Sequence, residues 1–177
     1  MRKISLFIAT SLDGYIAQQN DDLSFLQHVE KEGEDYGYKA FMETIDTIII
    51  GRKTYDYVLR EIGPSHYDNG HRDVYVITRT ERPSIGRTTF FTGDIAELVE
   101  KLRTQKGKNI YCDGGAEVIH TLLKKGLVDE IIISIVPILL GDGVRLFRDG
   151  FDEQILDLVQ VKSYDTGLVQ MHYKRKH

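Results

Sequence analysis

Apolar residues along the chain fall into two rhythms, short β-branched runs closed by glycine or polar turns and longer stretches with helical spacing. Lys3 to Ala9 predicts a buried first strand. The stretch DDLSFLQHVEKE opens on carboxylates and puts Phe25, Leu26 and Val29 on one helical face, so a helix is expected there. A second short helix is expected over Tyr38 to Thr44, a strand over Thr47 to Ile50, and a helix over Thr54 to Arg60. Glu61 to Arg72 is turn-rich and polar. Strands follow at Val74 to Thr78 and at Thr88 to Phe91.

Asp94 with Glu97 forms a capping-box-like start, and Ile95, Leu98, Val99 and Leu102 repeat at i, i+3, i+4 and i+7. Then come a strand at Asn109 to Cys112, a glycine pair, and a helix with Val118, Ile119, Leu122 and Leu123 on one side. Gly126 stands where a helix C-terminal glycine belongs. Val128 to Val136 is a strand stopped by Pro137, and two alternating runs around Asp165-Thr166-Gly167 predict a hairpin. Strands alternating with helices imply an α/β fold. Its central sheet should be mostly parallel, flanked by helices, with an antiparallel C-terminal hairpin. Ligands of such sheets bind beyond the carboxyl ends of the strands.

The length, 177 residues, suits one domain over 1–177. A net charge of −4 disfavours a broad nucleic-acid-binding face, but a few local cations suffice for a small anion. Cys112 is the only cysteine, so no intramolecular disulfide can form, and it reads as a small buried hydrophobe. No apolar run reaches membrane-spanning length, and the start MRKISLFIATSLDG reads as a strand. A soluble, cytoplasmic protein is expected. The six histidines show no metal-ligand spacing.

Three strand exits share a chemistry. Gly51-Arg52-Lys53-Thr54 follows Ile50, Thr78-Arg79 follows Ile77, and Asp113-Gly114-Gly115-Ala116 follows Cys112. Two lead straight into helices, whose first amides form an anion site. Gly114 and Gly115 let a pyrophosphate approach the backbone, Arg52 and Lys53 add charge, and Arg79 offers a planar fork. Three phosphate-friendly exits suggest a dinucleotide with an extra phosphate, NADPH rather than NADH. There is no GxGxxG or GxxxxGK[ST] motif.

IATSLDGYIA (8–17), IIIGRKTYD (48–56), VYVITR (74–79), IYCDGGAEVIHTLL (110–123) and GLVDEIIISIVPILLGDGVRLF (126–147) occur in the order that resembles the dihydrofolate reductase superfamily. The set is most similar to its riboflavin-biosynthesis branch, the reductase domain of bifunctional deaminase-reductases. No deaminase H-x-E with P-C-x-x-C is present, so a free-standing reductase is implied.

The resemblance implies a dihydrofolate-reductase-like fold and hydride transfer from NADPH to a small heterocycle such as 5-amino-6-(5-phosphoribosylamino)uracil. It places Ala9 and Ile16 against the nicotinamide carboxamide, and Gly51, Arg52, Lys53 and Thr54 at the cofactor phosphates. Thr78 and Arg79 fall at the adenosine 2′-phosphate, and Gly114, Gly115, Ala116, Glu117 and Val118 beside the pyrophosphate. A cis peptide is implied between the two glycines. Asp22, with Phe25, resembles the acid and aromatic of the folate pocket and would deliver a proton, or would only favour the dipole of a helix start. Asp13 would face the substrate or shape a turn. The alternatives are a dihydrofolate or pteridine reductase and a non-catalytic NADP-binding sensor. A homodimer through the later strands is expected.

Overall fold

The computed structural model describes residues 1–67 and 70–176; Asp68 and Asn69 of the turn-rich stretch, and His177, lie outside them. The strands are β1 (Ile4–Ser11), β2 (Tyr15–Ala17), β3 (Ile45–Gly51), β4 (Asp73–Ile77), β5 (Thr88–Phe91), β6 (Asn109–Gly114), β7 (Glu130–Val136), β8 (Val144–Arg145), β9 (Leu156–Ser163) and β10 (Val169–Arg175). The α-helices are α1 (Tyr38–Glu43), α2 (Arg52–Glu61), α3 (Ile95–Thr104) and α4 (Ala116–Lys124). Eight strands form one sheet in the order β5-β4-β3-β6-β1-β7-β10-β9. It is parallel from β5 to β7, and β10 and β9 extend it antiparallel.

Alternation along β1 divides the core between two faces. Ile4 and Leu6, both fully buried, pack with Leu98 and Leu102 of α3 and Ile119 and Leu122 of α4. Phe7 points to the opposite face, against Tyr38 and Phe41 of α1. The start of α3 is as the pattern predicts, with Asp94 accepting a hydrogen bond from the Ala96 amide at 2.6 Å. Such a cap is worth about 1 kcal/mol.

Four expectations need correction. DDLSFLQHVEKE does not form an α-helix: one 3₁₀ segment, Gln19–Asp21, ends at its first residue, and a second, Ser24–Val29, lies within it. Asn20 and Asp21 take positive φ of 61° and 60°, which breaks the winding before Phe25. The second helix begins at Arg52, directly on Gly51, and not at Thr54. β1 and β6 run two residues beyond the expected ends, to Ser11 and Gly114, and so carry their exits closer to the site. A two-stranded sheet of β2 and β8 was not anticipated; it ties the segment after β1 to the segment after β7.

Asp129 organises the rim where β1 begins. Its carboxylate accepts from the Ile4 amide at 2.8 Å and from Arg103 at 2.7 Å, while its carbonyl accepts from the Arg175 amide at 2.9 Å. Both the first and the last main strand are therefore fastened to one residue.

The outer strand β9 is exposed along its whole length. A bulge opposite His172 and Tyr173 leaves Leu156, Leu158 and Val161 paired with Arg175, Tyr173 and Met171. Directly paired residues share a face, so these three apolar side chains lie on the side where Tyr173 and Met171 join the main core.

Candidate active site

The site lies at the carboxyl ends of β1, β3, β4, β6 and β7. Gly51 and Gly115 are the N-cap residues of α2 and α4, and neither helix start has a side-chain cap. The two junctions interlock. A Cβ on Gly51 would stand 3.3 Å from Val118 Cγ2 and 3.4 Å from the Gly115 nitrogen; one on Gly115 would stand 2.7 Å from Thr54 Oγ1. Only backbone fits between them. The Gly114–Gly115 peptide is cis, as the resemblance implies, and Gly114 holds a φ of +102°. Five of the residues anticipated for phosphates, Gly51, Thr54, Gly114, Gly115 and Val118, thus meet in one place, with Ala116 opening α4.

The anticipated charged groups surround this junction. Arg52 pairs with Asp56 one turn along α2, and Lys53 is exposed. Glu117 at the start of α4 pairs with Arg148, which, with the nearby His120 and Arg79, holds its carboxyl below the usual range. Arg79 is exposed beyond β4. Thr78 is buried, and its hydroxyl accepts from the Thr80 amide at 3.2 Å, so it shapes the turn that presents Arg79.

On the other side of β1 opens a cavity of about 590 Å³. Phe7, Ala9 and Ser134 contribute to it from β1 and β7, Leu26 and Val29 from the second 3₁₀ segment, and Tyr36 and Tyr38 from the stretch leading into α1. Ala9 and Ser134 are partners across the sheet. Gln170 Nε2 donates to Ser134 Oγ and to the Tyr36 carbonyl, each at 3.0 Å. Tyr36 has a positive φ of 54°, an uncommon conformation for an aromatic residue, and its hydroxyl donates to the Val29 carbonyl. Ile16 of β2 packs against the main core.

Neither aspartate expected to be catalytic lines the cavity. Asp22 is exposed; its carboxylate accepts from the Ser24 amide at 2.8 Å, from Ser24 Oγ at 3.0 Å and from Gln18 Nε2 at 3.1 Å. It secures the start of the second 3₁₀ segment instead of standing in an apolar cleft. Asp13 accepts from Ser11 Oγ at 2.6 Å and from the Leu140 and Gly141 amides at 3.1 and 2.7 Å. These bonds, led by that from Ser11, bring its pKa to about 2. Through these bonds Asp13 pins the loop after β7.

A third acid lies behind the cavity wall, within electrostatic reach of Tyr38, and it too is not among the residues that line the cavity. Asp113, the residue before the glycine pair, accepts hydrogen bonds from Tyr67 at 2.5 Å and Tyr111 at 2.7 Å. Loss of hydration raises its pKa despite both bonds and the nearby His66. The hydroxyls of Tyr38, Tyr67 and Tyr111 are all pushed upward, chiefly by burial, with the Asp113 charge adding to it. Cys112 points away from this face, and burial moves its thiol up to about 12, so it is inert packing. Among the described residues, no three His, Cys, Asp or Glu side chains converge as a metal site needs, and no helix is long and apolar enough to cross a membrane.

The sheet order and the interlocked glycine junction belong to a dihydrofolate-reductase-like α/β fold. Residues 2–170 match the RibD C-terminal domain, and the chain belongs to that family. It is 35% identical to the uncharacterized protein YwjB of Bacillus subtilis (strain 168), over 98% of each chain. The crystal structure of a candidate riboflavin biosynthesis protein from Shewanella sp. PV-4 superposes with a TM-score of 0.88 at 31% identity, covering 99% of both chains. The dihydrofolate reductase of Enterococcus faecalis, solved with NADP(H) and RAB-propyl, superposes with a TM-score of 0.64 at 16% identity, covering 99% of this chain and 97% of that one, which is a likeness of fold.

Proposed function

We propose that the chain is an NADPH-dependent reductase acting on a small planar heterocycle. The observation that carries this reading is the interlocked Gly51–Gly115 junction, beside which Ala9 turns toward a cavity with aromatic walls. Capless helix starts favour phosphate oxygens, with Arg52, Lys53 and Arg79 as surrounding cations. The chemistry supplied by NADPH when bound is a hydride. Ala9 and Ile16 are assigned to hold the carboxamide end, so that the ring faces the cavity. Phe7, Leu26, Tyr36 and Tyr38 position the heterocycle and exclude water.

Two-electron reduction also needs a proton. We assign its storage to Asp113, in place of Asp22 and Asp13. A carboxyl that resists ionisation, bonded to Tyr67 and Tyr111, retains a proton closer to neutrality than an exposed acid does. The apolar stripe of Leu156, Leu158 and Val161 on an unpaired edge strand supports a homodimer across β9. A cytoplasmic location fits a soluble reductase of this kind.

Thermal-shift titration with NADPH and NADH tests the cofactor. NADPH should stabilise the protein at lower concentration, and Arg79→Ala should abolish that preference. Equal responses to both in the unmodified protein reject the assignment. NADPH oxidation against pyrimidine, pterin and carbonyl panels separates a reductase from a binding-only sensor.

A further inference from the structure

We infer that the cavity selects a neutral or positively charged heterocycle that carries no phosphate, a conclusion about substrate class that rests on the reductase reading above. The sorting of charge at the two mouths leads to it. On the cofactor side Arg52 and Arg148 are paired with Asp56 and Glu117, which leaves the exposed Lys53 and Arg79 as the excess of positive charge there. The cavity mouth has the opposite character: Glu30, Glu32, Glu34 and Asp35 line it, with Lys31 as the one cation among the lining residues.

That lysine is already committed. Lys31 pairs with Asp165 of the hairpin turn, so it brings a fifth carboxylate to the same edge and has no spare charge for a ligand. Lys39 and Lys162 lie close enough to Asp35 to interact with it, but neither lines the cavity, and Lys162 sits 4.4 Å above the Tyr164 ring. Asp35 is held ionised by the Gly37 and Lys39 amides, each at 2.9 Å. Glu34 accepts from the Tyr36 amide at 2.9 Å. Both acids are therefore fixed features of the wall.

A phosphate dianion entering here would meet like charges with no arginine fork to receive it. A ring bearing amino groups would instead present donors to acceptors. The same polarity discourages the phosphates of the cofactor from entering the wrong mouth. Among the described lining residues, the phosphoribosyl group of the substrate implied by the resemblance would find only Lys31 as counter-charge, and that lysine is paired with Asp165.

The chain contains no tryptophan, so a single one placed in the cavity wall reports the local field by itself. Leu26→Trp, with Tyr38→Trp as a second reporter should the first fold poorly, is quenched in turn by caesium, iodide and neutral acrylamide. Relative to acrylamide, caesium should quench about three- to tenfold better than iodide at low salt. The gap should close at high salt and invert when Glu30→Lys and Glu32→Lys are added. Iodide quenching equal to or above that of caesium overturns the inference.

In parallel, NADPH oxidation is followed with 5-amino-6-ribosylaminouracil and with its 5′-phosphate. An advantage of about tenfold or more in kcat/KM for the unphosphorylated compound supports the inference, and a preference for the phosphate overturns it. Absence of NADPH binding or turnover, alongside the caesium preference, removes the reductase reading and leaves the charge selectivity of the cavity standing.

Discussion

Gly115 and Thr54 face each other across the two strand–helix junctions so closely that a methyl group on the glycine would lie 2.7 Å from the threonine hydroxyl. The hydroxyl sits at the end of a short side chain inside α2, so relief requires one helix start to move relative to the other. Gly115→Ala should therefore separate the two helix starts whose amides are proposed to bind the cofactor phosphates. The expected result is NADPH affinity lower by about tenfold or more, with a stability loss of roughly 1–3 kcal/mol from overpacking. Titration calorimetry and thermal unfolding check it, and Thr54→Ser in the Gly115→Ala background should not restore binding, because the hydroxyl remains.

Asp113→Asn removes the titratable acid while keeping its size. If Asp113 donates the proton, the rate falls as pH rises through its elevated pKa, because the active form is the protonated one. The variant should lose roughly 10²–10⁴-fold in kcat, with that limb of the pH profile flattened. A variant with the profile intact would show that the proton comes from elsewhere.

Asp13 gives a prediction of the opposite sign. Its carboxyl titrates near 2 in the folded chain against 3.8 ordinarily, so its contribution to stability is present above the ordinary value and is lost as pH falls toward 2. Asp13→Asn should be less stable than wild type near neutral pH, and its unfolding temperature should fall less steeply on acidification through that interval. The effect should be small, since solvent screens an exposed carboxylate. Unfolding temperatures of the two proteins across the acid range decide it.

The stripe on β9 should respond to charge. Leu158 is 57% and Val161 54% exposed, so Leu158→Lys with Val161→Lys costs little within one chain but places four lysines at a two-fold contact between copies. Light scattering after size exclusion should show wild-type dimers and monomeric variants with unfolding temperatures close to each other. Monomeric wild type would remove the proposed dimer.

The periodic parts of the fold were legible in the sequence. Asp94 and the Ile95, Leu98, Val99, Leu102 series define α3 because a cap and an apolar stripe are local properties. The glycine junction was legible for a similar reason, each half being a strand exit. Local signals could not anticipate the winding at Asn20 and Asp21, where two adjacent residues adopt left-handed φ. Nor could they anticipate β2 and β8, whose pairing depends on chain segments more than a hundred residues apart.

Asp113 was visible only as the residue before a glycine pair. The role proposed for it rests on bonds from Tyr111, its neighbour on β6, and from Tyr67, 46 positions away, which reaches it only after distant segments pack together. The bonds of Asp22 to Ser24, two residues on, are by contrast local to the chain.

Asp129 grips Ile4 and Arg175 at once, at the rim opposite the glycine junction. Ile4 and Arg175 are thus held close together, and a short flexible linker can join the segments that flank them. A circularly permuted protein, opened instead in an exposed turn such as that around Gly107, should keep both ligand mouths undisturbed. Such a permutant moves the chain opening without touching the Gly51–Gly115 junction, so the two strand–helix starts keep their contact.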